Sequence, residues 1–263
     1  MRFILHILLT VLLTLATQIG GIVYLLTIII LHKIKVKKRI YRFLTFIFLY
    51  LSVTFLVVPN IAPYFGRVKI TNNIYVQNHS LITTLCNRNY VKPKLNASLQ
   101  NIGNHFKQRY PTLTLVYLDA NFPFIDKFPL LPHLSHSDGK KIDLSFLYTE
   151  AGKFTNKKPT TSGYGIFEEP KSSEYNQTNR CKQKGFWQYD YSKFVTFGSF
   201  NADLKFSLKP TKYLIQLILQ QKSTQKVFIE PHLKYRMNLN NAKIRFHGCK
   251  AVRHDDHIHF QIW

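Results

Sequence analysis

The sequence predicts an α+β fold: an antiparallel sheet with flanking helices, preceded by two transmembrane helices. Three observations carry this reading. Two long apolar runs lie near the start of the chain on either side of a basic loop. After Arg67 short period-2 stretches mix with two amphipathic helical stretches, without the regular strand–helix alternation of a parallel sheet. The chain closes on RHDDHIHFQIW, a strand pattern crowded with histidine and aspartate.

The first apolar run, FILHILLTVLLTLATQIGGIVYLLTIIIL, holds no formal charge and exceeds the roughly 20 residues that cross a bilayer core. It continues past the length of a signal-peptide core and has no A-x-A site, so an uncleaved spanning helix is expected. The second run, Phe43 to Val58, extends into IAPYF and spans marginally. The intervening HKIKVKKRIYR carries six Lys and Arg, which places that loop in the cytoplasm. Both ends of the chain then face outward. Residues 1–65 read as the membrane anchor and 66–263 as an extracytoplasmic domain.

Within that domain, KLNASLQNIGNHFKQRY reads as a helix stopped by Pro111. TLTLVYLD and KKIDLSFLY read as strands, the second with Ile142, Leu144 and Phe146 on one face. Residues 151–182, rich in Lys, Thr, Ser, Gly and Pro, read as a long surface excursion. PTKYLIQLILQQ is a helix, KVFIEP a strand, HLKYRM a short helix and AKIRFHG a further strand.

The chain is strongly basic, with 36 Lys and Arg against 13 Asp and Glu, and no acidic residue precedes Asp119. Such a charge favours anionic polymers or a membrane surface. No nucleic-acid-binding motif accompanies it, so nucleic acid is not expected as a partner. Cys86, Cys181 and Cys249 allow one disulfide in an oxidising compartment, with three pairings open. None has a ligand neighbour that would make it a metal ligand.

In HIHFQIW, Ile258, Phe260 and Ile262 fall on one strand face, and His257 and His259 on the other. In PHLSHSDGKKIDLSF, Asp143 lies between inward-facing Ile142 and Leu144 and so projects from the opposite face. His136 precedes it, with Gly139 supplying a turn. Five of the eleven histidines fall in two windows, 133–136 and 254–259. If the two strands are neighbours, His136, Asp143 and one of His257 and His259 can form a His₂Asp set. Three protein ligands leave a fourth position for water, the pattern of a catalytic zinc (Zn2+), and imidazole with carboxylate suits zinc better than magnesium or calcium. His257 is then placed as general base. His254 is a second acid or oxyanion partner, Asp255 or Asp256 an orienting carboxylate, and His133 a substrate contact. Trp187 and Tyr189 are candidates for a groove wall.

Ser135, His136, Gly139 and Asp143, followed by His254, His257 and His259, make the sequence resemble the LAS-type zinc metallopeptidases of bacterial cell walls. The pattern is SxHxxGxxxD and then HxxHxH, nearest to the penicillin-insensitive murein endopeptidases, whose further histidine is matched by His133. The resemblance covers roughly residues 95–263, with a longer spacing between the motifs. It implies that His136, Asp143 and His259 bind zinc while His257 acts in catalysis, with peptide cross-links of peptidoglycan as substrate. Together with the anchor and its basic loop, this makes a bacterial inner-membrane protein whose catalytic domain faces the periplasm or cell exterior the expectation. A D-alanyl carboxypeptidase, using Lys140, Lys141 or Arg253 to hold a substrate carboxylate, is the near alternative. A catalytically inactive, membrane-anchored wall-binding module is the distant one.

Overall fold

The structure, a computed structural model, describes residues 2–35, 38–131 and 133–263; Val36 and Lys37 of the basic loop lie outside them. The chain forms two compact units that do not follow chain order. The first comprises Met1–Ile70, Leu81–Pro93 and Ala120–Gly139, and the second Thr71–Ser80, Lys94–Asp119 and Lys140–Trp263.

The first unit is helical. Its opening apolar run is not the single spanning helix expected but two helices, Arg2–Thr17 and Gly20–Lys33. They part at Gln18, whose φ of 67° no α-helix accommodates. Gly20 and Gly21 permit the return: a Cβ on Gly21 would lie 1.9 Å from Thr14 Oγ1 and 2.5 Å from the Thr10 carbonyl. The two helices are tied together by His6 Nδ1 and the Tyr24 hydroxyl, 2.7 Å apart. Among the described residues one helix, Arg39–Phe65, is long and apolar enough to cross a membrane. Its Val53–Val57 turn is a π-turn. Pro59 follows it and would clash with the carbonyl four residues back, so the widened turn relieves that contact. Ile19, Val23, Tyr50, Val58, Ala62 and Tyr90 form the unit's buried cluster.

The second unit has the expected α+β architecture. Its six-stranded sheet runs in the order Ile244–Arg245, Thr224–Phe228, His257–Ile262, Lys141–Ser145, Leu115–Asp119 and Val76–Asn78. The three inner pairings are antiparallel, as the sequence predicts. The outermost pair at each edge is parallel, made by strands of two and three residues whose connections to their partners carry helices. The helix Pro93–Arg109 buries Leu95, Leu99, Ile102 and Phe106, an i, i+4, i+7, i+11 stripe. Each such side chain contributes about 1.5–3 kcal/mol on burial. Phe106 stacks on Tyr213 of the helix Leu208–Gln220. Both faces of the last strand are buried: Ile258, Phe260 and Ile262 on one, His257 and His259 on the other. A histidine pair on the hidden side of a central strand needs polar partners, and the unit supplies them.

Residues 151–182 are not a loose surface loop. They contain the strand Lys153–Thr155 and most of the helix Gln177–Gln183, and Lys158, Thr160 and Tyr164 are buried. Cys181 on that helix forms a disulfide with Cys249, 68 residues away. Closing a loop of that length stabilises by restricting the unfolded chain. Reduction of the detergent-solubilised protein should therefore lower stability by about 2–4 kcal/mol, read as a drop in the denaturant midpoint. An unchanged midpoint would show that this bond contributes nothing to the fold.

Candidate metal centre

The antiparallel register of the last strand with Lys141–Ser145 sets His259 directly opposite Asp143 and His257 opposite Ser145. The two strands that the sequence could only suppose to be neighbours are paired. Because side chains alternate, His257, His259 and Asp143 share one face of the sheet. His259 Nδ1 lies 2.8 Å from Asp143 Oδ1, and His257 Nε2 lies 3.6 Å from the same oxygen. His254, just before the strand, closes the group: its ring centroid is 4.9 Å from that of His257 and 5.7 Å from that of His259. Ligand atoms of His254, His257 and His259 all lie within 4.8 Å of one another, so these buried side chains could hold a metal ion.

Electrostatics divides the imidazoles. Burial, reinforced by His257, His259 and His247, pushes His254 well below the usual histidine range, so it is neutral. Burial works the same way on His257, but the Asp143 and Asp256 carboxylates outweigh it and push it up to about 9. His257 Nδ1 is 2.5 Å from Asp256 Oδ1. Of the two aspartates expected as orienting groups, Asp256 touches an imidazole. Asp255 pairs with Arg253, whose Nε donates to its Oδ1 at 2.6 Å, and its Oδ2 lies 3.7 Å from His232 Nε2, outside the histidine group.

Several residues at this centre carry no signature in the sequence. Tyr164, from the excursion, donates its hydroxyl to Asp143 Oδ2 at 2.9 Å, and Gly165 N donates to Asp256 Oδ2 at 2.7 Å. Glu230 accepts from His254 N at 3.0 Å and from the Tyr189 hydroxyl at 2.7 Å. Burial holds its carboxyl above the usual range. His247 stacks on Phe228 with centroids 4.1 Å apart and lies 5.2 Å from His254. The flanking glycines of SGYG were the one available cue to Tyr164. Glu230 and His247 stand near the ends of KVFIEP and AKIRFHG, which read as plain strands.

The same excursion is pinned by ions. Arg253 bridges Asp255 to Glu169, with guanidinium–Glu169 distances of 3.0 and 2.9 Å. Arg236 bonds Glu174 and Glu168 and donates to the Glu169 carbonyl. The Arg236 hydrogen bond pulls the Glu174 carboxyl from an ordinary 4.5 down to about 2. A depressed carboxylate stabilises the fold above its unfolded value and loses that contribution as it is protonated. Stability should therefore fall as pH drops from about 4.5 through about 2. Arg236→Met should flatten that part of a pH–denaturation profile, and an unchanged profile would remove the pair from the account.

His133 and His136 belong to the first unit. There His136 is buried, with Nδ1 2.9 Å from the Ala120 carbonyl, and the two rings lie 5.6 Å apart. Trp187 is 75% exposed, whereas Tyr189 is fully buried against Glu230, so the two do not form a common wall. Arg253 is buried and committed to Asp255 and Glu169, which removes it as a holder of a substrate carboxylate. No family model matches the chain, and no curated protein matches it.

Proposed function

We propose that the chain is a membrane-anchored zinc peptidase that hydrolyses peptide cross-links of peptidoglycan. The observation that carries the reading is the pairing of His259 with Asp143 on a buried sheet face, with His257 and His254 beside them. Neutral imidazole and carboxylate are donors suited to zinc. Asp143 and His259 are the proposed ligands in the second unit; His136 is the proposed third ligand, on the SxHxxGxxxD pattern. A bound zinc would supply a water with its pKa lowered to about 7 and a polarised substrate carbonyl.

The protein's own groups then divide the proton work. Asp256 holds His257 by Nδ1, which directs Nε2 as the proton acceptor. The same nitrogen returns the proton to the departing amine. His254, neutral and adjacent, is the proposed oxyanion partner. The substrate class rests on the sequence resemblance. Location outside the cytoplasm is supported by the basic loop before Arg39–Phe65 and by the Cys181–Cys249 disulfide. With Arg253 committed elsewhere, a carboxypeptidase would have to hold its substrate carboxylate with Lys140 or Lys141.

Zinc content of the full-length, detergent-solubilised protein is the test. About one zinc per chain is expected, with loss in His259→Ala and His136→Ala. A folded wild-type protein that takes up no zinc when supplied with it would sink the hydrolase and leave a wall-binding module.

A further inference from the structure

We infer that Tyr164 is a positioning residue for this centre, fixing the Asp143 carboxylate so that Oδ2 is tied to the excursion and Oδ1 faces His257 and His259. The inference rests on the metal reading above and adds to it a residue that lies in neither histidine motif.

The turn that presents Tyr164 is built for one outcome. Gly163 and Gly165 flank it with φ of 84° and 86°, a region that side-chain-bearing residues rarely adopt. Neither position has room for a Cβ: at Gly163 it would stand 2.4 Å from Leu118 Cδ2, and at Gly165 2.5 Å from the Ser192 carbonyl oxygen. Thr160 closes the turn, its hydroxyl donating to the Tyr164 carbonyl at 2.7 Å and its carbonyl accepting from Gly163 N at 3.2 Å. The tyrosine ring meets His257 edge to face, with centroids 5.1 Å apart. One turn thus reaches both carboxylates of the site. The Tyr164 hydroxyl holds Asp143, and the neighbouring Gly165 amide holds Asp256, whose other oxygen carries His257.

A phenol is a donor at neutral pH, and its bond engages Oδ2 while Oδ1 is the oxygen turned towards His257 and His259. Asp143 is therefore set to bind through one oxygen. Partners that orient a metal-binding carboxylate typically change metal affinity by about 10–100-fold when removed.

The experiment compares full-length wild type and Tyr164→Phe, both stripped of metal and titrated with zinc against a competing chelator. Phenylalanine keeps the ring against His257 and deletes only the hydroxyl. Zinc dissociation about 10–100-fold weaker in the variant, with an altered visible spectrum of the cobalt-substituted protein, is expected. Equal zinc affinity would overturn the role of Tyr164 while leaving the metal reading standing, even if the metal-free variant melts earlier, because a purely structural contact would show only there. Absence of zinc binding in the wild type would overturn the metal reading and this inference together.

Discussion

Turnover of cross-linked muropeptides by His257→Ala is expected to fall about 10²–10⁴-fold, the range contributed by a positioned general base, while zinc stays bound. The expectation follows from how the imidazole is held. Its Nδ1 is anchored on Asp256, which is itself fixed by the Gly165 amide, so ring and tautomer are both set. Without a metal the two carboxylates keep the ring protonated, pushed up to about 9. A cation held by Asp143 would offset that carboxylate's charge and lower the pKa towards the range where a base works best. Asp256→Asn should reproduce part of the loss, because an amide can present its NH₂ to Nδ1 and favour the wrong tautomer. Turnover and zinc content must be measured on the same preparations. Wild-type turnover in His257→Ala would end its role as base. Loss of zinc together with turnover would instead make His257 a ligand, in the manner of the His254, His257 and His259 group.

How much of this was legible beforehand depended on the range over which each cue acts. The strand Lys141–Ser145 and the terminal strand announce themselves by alternation, and alternation alone puts Asp143, His257 and His259 on the non-core face. The helices Pro93–Arg109 and Leu208–Gln220 show their apolar stripes as plainly. Strand adjacency is a tertiary fact, however, and only the fold could show His259 opposite Asp143. The first apolar run was misread because hydropathy is blind to close packing. The break depends on Gln18 at positive φ and on two glycines that have no room for a side chain. Composition likewise made residues 151–182 look like solvent-facing chain. Their Lys, Ser and Thr are compatible with a loop, but Tyr164, Glu168, Glu169 and Glu174 are long-range partners of Asp143, Arg236 and Arg253.

Arg253→Met should destabilise the second unit by about 3–5 kcal/mol, the cost of breaking a buried ion pair from one side. The guanidinium is 2% exposed and lies 3.9 Å over the Phe167 ring, and its partner Asp255 is fully buried. Burial alone drives the Asp255 carboxyl well above its usual range. Glu230 and Asp256 add to that, and Arg253 is the group that opposes it. Burial works against the Arg253 charge too, yet Asp255 and Glu169 outweigh it and raise its pKa. Methionine fills much of the volume of the arginine stem but leaves a carboxyl among carboxyls. Relief by protonation would still forfeit the hydrogen bonds that hold Asp255. Glu169→Gln makes the contrast, since that side chain is 58% exposed and such pairs contribute about 0–1 kcal/mol. Replacing Arg253 and Asp255 together by methionine and leucine should recover much of the loss, because the desolvation penalty goes with the charges. The denaturant midpoints of the three variants decide the matter. A midpoint for Arg253→Met equal to wild type would mean that neither the charge nor the hydrogen bonds of Arg253 tie the excursion to the strand bearing His257 and His259.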